Sequence, residues 1–141
     1  MGSKIAVSLA AIGSLVAPAF AMTAETGAAR AAQAAKGKVT YGRYCVACHG
    51  TSGKGDGSLA GDLRVPVPDL TTLAARTGGT YPHDRVVAII KSGSTVRGHG
   101  TEDMPAWGDA FKNTKGIDEK TSQAAIRNLA EYLRSLQQPA P

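Results

Sequence analysis

The chain has 141 residues, a length that suits one domain rather than two. Hydrophobic residues make up 43% of it, which is enough for a core, but aromatic residues make up only 5%, so a bulky bound cofactor would help to complete the interior. The formal net charge is +5 at pH 7. The basic residues are scattered rather than clustered, which argues against nucleic-acid binding and suits docking on an acidic patch of a partner protein.

Residues 1–21 are predicted to be a cleaved secretory signal peptide. Lys4 supplies a positive start, residues 5–16 form an uncharged apolar run, and Ala19-Phe20-Ala21 places small residues at the two positions that a signal peptidase recognises. The apolar run is shorter than the ~20 residues that span a bilayer. The sequence therefore predicts export to the periplasm, with membrane association only if this segment is retained.

The next segments predict helix, then loop. Residues 22–36 form an Ala-rich N-terminal extension, either a short helix or a linker, that ends at Gly37. Residues 38–44 are helix-compatible and lead into two cysteines. Residues 50–61 contain five glycines among polar residues and predict a mobile loop. Pro66 and Pro68 then predict an extended, non-helical segment.

Two helices are predicted in the second half of the chain. The first starts at Pro82, buries Val86, Ile89 and Ile90 on one face, and ends at Gly93. His83 is predicted to be a surface residue with no role.

The second helix is capped by Asp118. Its apolar stripe has helical spacing and comprises Ile126, Leu129, Ala130, Leu133 and Leu136. Because no strand or βαβ pattern is evident, the predicted fold class is all-α with long loops. Such loops in a small domain require something that organises them, and a flat apolar macrocycle would do so.

The segment Cys45-Val46-Ala47-Cys48-His49 has the spacing of a haem attachment site. Thiols three positions apart lie about one helical turn from each other, so they can reach two neighbouring vinyl groups, and His49 is then held close to the iron. A redox dithiol, a zinc site and a simple disulfide are the alternatives. They are disfavoured because the dithiol belongs near a βαβ unit, zinc needs four ligands, and the disulfide would close a very short loop.

Met104 is the candidate for the sixth iron ligand. It lies in a predicted loop rather than on an apolar helical face, and a thioether favours ferrous iron and so raises the reduction potential. His99, five residues earlier, is the competitor. A histidine in a glycine-rich loop is more often simply solvated, so Met104 is preferred.

From Gly37 to Leu136 the sequence resembles the class I monohaem c-type cytochromes, of the bacterial periplasmic type. The resemblance rests on Gly37 and Tyr41, on Cys45-x-x-Cys48-His49-Gly50, and on Met104-Pro105. It implies the cytochrome c fold over residues 37–138, with a few helices and long loops around one covalently bound haem c. It also implies that the first and last helices cross, with Gly37, Tyr41 and Tyr132 at the matching positions.

The same resemblance assigns further roles around the haem. Pro68-Asp69-Leu70 matches a segment whose proline carbonyl accepts a hydrogen bond from the ligand imidazole, which would fix the ring plane of His49. The alternative is that the prolines only stiffen a loop. Trp107 is expected near the haem edge, or else as an ordinary core aromatic residue. The cofactor-binding residues implied are Cys45, Cys48, His49, Pro68, Leu70, Met104 and Trp107, with His49 and Met104 on the iron.

The expected function is single-electron transfer in the periplasm by a carrier that is not itself an enzyme. Expected partners are redox proteins: a periplasmic dehydrogenase, a respiratory complex or a terminal acceptor. The main alternative is a haem-bearing subunit of a periplasmic oxidoreductase, with residues 22–36 as a docking extension. A haem sensor or minor peroxidase would require Met104 to leave the iron.

Overall fold

The computed structural model describes residues 19–93, 106–114 and 116–139. In these ranges the chain forms five α-helices: α1 (Ala19–Tyr44), α2 (Val46–His49), α3 (His83–Ser92), α4 (Trp107–Lys112) and α5 (Glu119–Ser135). Three short 3₁₀-helices, at Ala60–Asp62, Leu70–Thr72 and Ala75–Thr77, lie between α2 and α3. The described ranges contain no strand, as the all-α prediction requires. No helix within them is long and apolar enough to cross a membrane.

The most extensive contact between helices joins α1 to α5. A Cβ atom on Gly37 would overlap the backbone carbonyl of Asn128, so only glycine lets the two helices approach this closely. One turn further along, the rings of Tyr41 and Tyr132 pack with centroids 5.1 Å apart. The predicted crossing of the first and last helices at Gly37, Tyr41 and Tyr132 is confirmed.

The N-terminal part of α1 differs from the expectation of a segment ending at Gly37. The helix is continuous through Gly37, and residues 26–33 are all exposed. Alanine supplies the helix propensity of this stretch, which extends the helix from the packed part of α1. Gly37 does not end the helix because its contact with Asn128 places it in the centre of a helix–helix crossing.

The boundaries of α3 and α5 follow their capping residues. Gly93 ends α3 with φ 64°, and its N–H donates to the carbonyl of Ile89. At the start of α5, Asp118 Oδ1 accepts a hydrogen bond from the Thr121 N–H at 2.7 Å. Both boundaries are as the sequence predicts.

His83 is half-buried rather than a surface residue. Its Nε2 lies 3.2 Å from Oε1 of Glu131, a buried carboxylate of α5. The surface prediction for His83 is wrong because the start of α3 packs against α5.

Backbone hydrogen bonds hold the glycine-rich loop after α2, which the sequence predicts to be mobile. Gly55 N donates to the His49 carbonyl at 2.9 Å, and Leu59 N donates to the Ala47 carbonyl at 2.8 Å. Gly50 and Gly55 have φ values of 76° and 81°, which only glycine adopts readily. The glycines therefore allow the loop to fold back tightly on α2.

Three sequence predictions fall wholly or mainly outside the described residues. They concern Met104, His99 and the predicted signal peptide, of which residues 1–18 are not described. The rest of that peptide belongs to α1, which begins at Ala19. Cleavage of residues 1–21 stays a prediction.

Candidate haem site

The residues of the Cys-x-x-Cys-His motif lie on the short helix α2 and at its start. Cys45 precedes α2 and His49 is its last residue, with the His49 N–H donating to the Cys45 carbonyl at 2.8 Å. Cys45 is 7% exposed and His49 is 5% exposed, whereas Cys48 is half-buried. One helical turn therefore brings a buried thiol and a buried imidazole to the same side of the chain.

Cys45 and His49 line one cavity of about 310 Å³ between α1, α3 and α5. Most of the lining is apolar, and much of it comes from α3, α5 and the segment between α2 and α3. The apolar lining residues outside α1 and α2 are Pro68, Leu70, Leu73, Pro82, Val86, Ile89, Ile90, Trp107, Leu129 and Leu133. Such a surface suits a flat apolar ligand that buries most of its area.

Two guanidinium-bearing residues, Arg76 and Arg85, also line this cavity. Both are exposed, so they lie where the cavity meets solvent. Arg76 donates from Nη2 to the Asp69 carbonyl at 2.6 Å. Within the described part of the chain neither arginine forms an ion pair with a carboxylate. An apolar cavity with cationic groups at its opening favours a ligand that carries carboxylates on one edge.

Cys45 does not have the electrostatics of a redox-active thiol. Burial, with a smaller contribution from Cys48, raises the pKa of the Cys45 thiol to about 12. Redox-active dithiols instead lower a thiol pKa to populate the thiolate. Cys45 and Cys48 are both free thiols. The environment of Cys45 thus disfavours the dithiol alternative and leaves a buried thiol beside the cavity.

The Tyr41 hydroxyl fixes the backbone directly after His49. It donates a buried hydrogen bond to the Gly50 carbonyl at 2.7 Å. Burial raises the pKa of Tyr41 above its ordinary value, so the hydroxyl keeps its proton at neutral pH. Tyr41 therefore joins α1 to the end of α2 and helps to set the position of His49.

The Pro68-Asp69-Leu70 segment forms the cavity wall between α2 and α3. Pro68 and Leu70 both line the cavity with His49. Asp69 Oδ1 accepts from the N–H and the hydroxyl of Thr71 at 2.7 and 2.6 Å, and the hydroxyl bond is the main reason that the pKa of this carboxyl is lowered. The bond from His49 to the Pro68 carbonyl remains a prediction.

Trp107 is the first residue of α4, and its expected place near the haem edge stays a prediction. It lines the cavity, and its ring also packs on Tyr44 and Phe111 with centroids 5.1 and 5.4 Å away. These three aromatic side chains join α4 to the end of α1. Trp107 is therefore both a cavity residue and a core aromatic residue.

The structure brings five of the seven sequence-predicted site residues to one cavity: Cys45, His49, Pro68, Leu70 and Trp107. Cys48 lies on α2 but does not line that cavity, and Met104 is outside the described residues. Sequence reasoning missed Arg76, Arg85 and Leu73. No motif marks them, because isolated arginines and leucines carry no spacing that distinguishes a cavity residue from a surface one.

Comparison with known proteins assigns the family. The model of the cytochrome c family matches residues 34–137, and the chain belongs to that family. It is 34% identical over 106 residues to the cbb3-type cytochrome c oxidase subunit CcoP of Azospirillum brasilense. That alignment covers 75% of this chain and 29% of the relative, so the chain spans less than a third of it. No solved structure matches the chain significantly. The helical fold agrees with this assignment to the c-type cytochromes.

The described cavity fits haem c in its donor chemistry. Haem presents an apolar macrocycle with two carboxylates, an iron that binds imidazole, and vinyl groups that react with thiols. The cavity offers an apolar surface, two arginines, a buried imidazole and a buried thiol.

Proposed function

We propose that the chain binds one haem c covalently through Cys45 and Cys48, with His49 as an axial ligand of the iron. The observation that supports this most directly is that Cys45, just before α2, and His49, at the end of α2, are both buried on one apolar cavity. When bound, haem supplies one-electron chemistry between ferric and ferrous iron. The protein's part is to hold the ring, exclude water and tune the iron.

Different residues around the cavity contribute to these three tasks. The apolar walls exclude water, which favours the less charged ferrous state. Arg76 and Arg85 line the same cavity and would offset the charge of the haem carboxylates. The Pro68 carbonyl would accept a hydrogen bond from His49 in the haem-bound protein and so fix the ring plane, as partners of metal-bound histidines do.

Met104 is proposed as the second axial ligand, in preference to His99. The support is that Trp107, three residues after Met104, lines the cavity. A thioether stabilises ferrous iron and fills the position at which small molecules would bind. The protein then transfers electrons without making or breaking substrate bonds, and it is a carrier rather than an enzyme.

The site is tested by producing the chain with a haem-maturation system. Haem that survives denaturation, together with a near-infrared sulfur-to-iron band in the oxidised spectrum, is expected. Cys45→Ala should weaken covalent attachment, His49→Ala should change the axial ligation, and Met104→Ala should remove the near-infrared band and lower the potential. Met22→Ala, at a methionine with no assigned role, is the matched control. Absence of covalent haem in the unaltered chain would refute the proposal.

The proposed cellular role is a periplasmic electron carrier, exported by the signal at residues 1–21. A basic chain docks weakly and transiently on acidic partners, as fast turnover needs. Its partners would be a periplasmic dehydrogenase, a respiratory complex or a terminal acceptor. Electron transfer to a purified acceptor should slow as salt rises, and salt-independent transfer would contradict charge-guided docking.

A role as a haem-bearing subunit of a larger oxidoreductase is the second candidate. The match to an oxidase subunit favours it, as does the exposed helical stretch over residues 26–33, which is available to a partner. Mild extraction and co-purification distinguish the two roles, since a stable heteromer supports the subunit and a monomer supports the carrier. Carbon monoxide binding to the ferrous protein would instead favour a sensor or peroxidase.

A further inference from the structure

The side chain of Gln137 returns from the end of α5 to the wall of the cavity. Gln137 is half-buried and lies two residues beyond the last residue of α5. Its Nε2 donates to the carbonyls of Leu70 at 2.8 Å and Leu133 at 2.7 Å. Its Oε1 accepts from the Ala74 N–H at 2.8 Å. One side chain therefore joins α5 to both ends of the 70–74 segment.

Only a carboxamide can make this set of hydrogen bonds. It offers two N–H donors and a carbonyl acceptor on one planar group, whereas a carboxylate cannot donate and an ammonium cannot accept. The backbone N–H of the next residue, Gln138, donates to the Thr71 carbonyl at 2.9 Å and reinforces the attachment. The 70–74 segment is thus attached to the C-terminal end of the domain at three residues.

The opposite side of the segment is attached to the loop that follows His49. Leu70 N donates to the Gly53 carbonyl at 2.7 Å. Leu70 and Leu73 line the cavity, and both lie in the segment that Gln137 holds. The position of this wall relative to His49 therefore depends on the glycine-rich loop on one side and on Gln137 on the other.

We propose that Gln137 is a positioning residue for the haem site: its carboxamide holds the 70–74 wall closed against the cavity, and this keeps water from the haem and the reduction potential high. The proposal rests on the proposed function, since it concerns the cavity assigned to haem. If the wall opened, water would stabilise the more charged ferric state, so the potential would fall.

The test compares Gln137→Ala and Gln137→Glu with Gln138→Ala in the haem-loaded protein. Gln138 is exposed, and its replacement by alanine keeps the backbone N–H that bonds Thr71, which makes it a matched control. Both Gln137 variants should lower the reduction potential, and Gln138→Ala should leave it unchanged. The Ala74 amide should exchange its hydrogen about tenfold faster in Gln137→Ala, whereas Gln137→Glu retains an acceptor for it.

Two results would overturn the proposal. If the Gln137 variants lower the melting temperature but keep the wild-type potential, Gln137 only stabilises the fold. If Ala74 exchange is unchanged in Gln137→Ala, the hydrogen bond to the wall does not hold it. Failure of the proposed function is distinguishable from both, because it appears as absence of covalent haem in the unaltered chain. Even in that case, hydrogen exchange at the Ala74 amide would still test whether Gln137 holds the 70–74 segment.

Discussion

At Gly37 a single missing Cβ atom allows the first and last helices to touch. The backbone carbonyl of Asn128 occupies the space that a side chain would need. Gly42, in the same helix, has nothing within 4 Å of the corresponding position. A side chain therefore has no room at Gly37 but has room at Gly42, five residues later, which makes Gly42 the natural control.

Gly37→Ala should lower the free energy of unfolding by about 1–3 kcal/mol, because the added methyl group forces the helices apart. Gly42→Ala should raise it by about 0.5–1 kcal/mol, since alanine is the better helix former and meets no neighbour. Urea unfolding of both variants measures the difference. Equal effects of the two substitutions would show that α1 and α5 do not approach closely at Gly37.

Tyr41 contributes a buried hydrogen bond as well as a ring contact. Tyr41→Phe removes the donor to the Gly50 carbonyl and should cost about 1–2 kcal/mol of unfolding free energy, because that carbonyl is left buried without its partner. Tyr132→Phe is the control, since Tyr132 packs against the same ring. It should cost less than Tyr41→Phe, and the reverse order in thermal unfolding would place the main stabilising hydroxyl on Tyr132.

At the scale of the element, α5 shows how one residue defines a helix start. Asp118→Ala removes the acceptor for the Thr121 N–H and should lower the free energy of unfolding. Asp118→Asn should retain most of the stability because asparagine also caps well. Lys120→Ala, at an exposed position in the first turn, is the control and should have little effect. An unaffected Asp118→Ala variant would mean that the cap is replaceable by water.

The elements also show what a sequence can and cannot predict. The boundaries of α3 and α5 are encoded locally, in Pro82, Gly93 and Asp118, and are predictable from those residues alone. The continuity of α1 through Gly37 is not predictable in this way, because it depends on Asn128, which is 91 positions further along the chain.

In the site, too, some residues are marked by a local sequence pattern and others are brought together only by the fold. Cys45, Cys48 and His49 have a diagnostic spacing and are found from the sequence. Arg76 and Gln137 are not found, because their roles arise only when separate segments meet at one cavity. The 3₁₀-helices around residue 70 are also missed, since they lack the periodicity of longer helices.

For the whole molecule, two hydrogen-bonded carboxylates predict how the melting temperature changes as the pH is lowered. Hydrogen bonds from Thr71 and Thr121 lower the pKa values of Asp69 and Asp118 below their ordinary range. A lowered pKa in the folded state gives stability that is present above the unfolded value of about 3.9 and lost as the pH falls through the folded value. The melting temperature should therefore fall as the pH decreases below about 4.

The double variant Asp69→Asn, Asp118→Asn tests this assignment. Asparagine can still accept all three hydrogen bonds but does not titrate, so the melting temperature of the variant should depend less on pH between about 5 and 3. Melting curves of the two proteins over that range give the comparison. Parallel pH dependences would assign the acid sensitivity to other groups.

The pairing of α1 with α5 has a consequence for the time at which the protein can fold. Gly37 and Tyr41 are covered by residues 128–132, so this face of α1 has no partner until α5 has left the ribosome. Closing so long a chain carries an entropic cost that local contacts do not repay early. The core around Cys45 is therefore incomplete until α5 has formed, and we expect this thiol to stay accessible to a modifying enzyme until then.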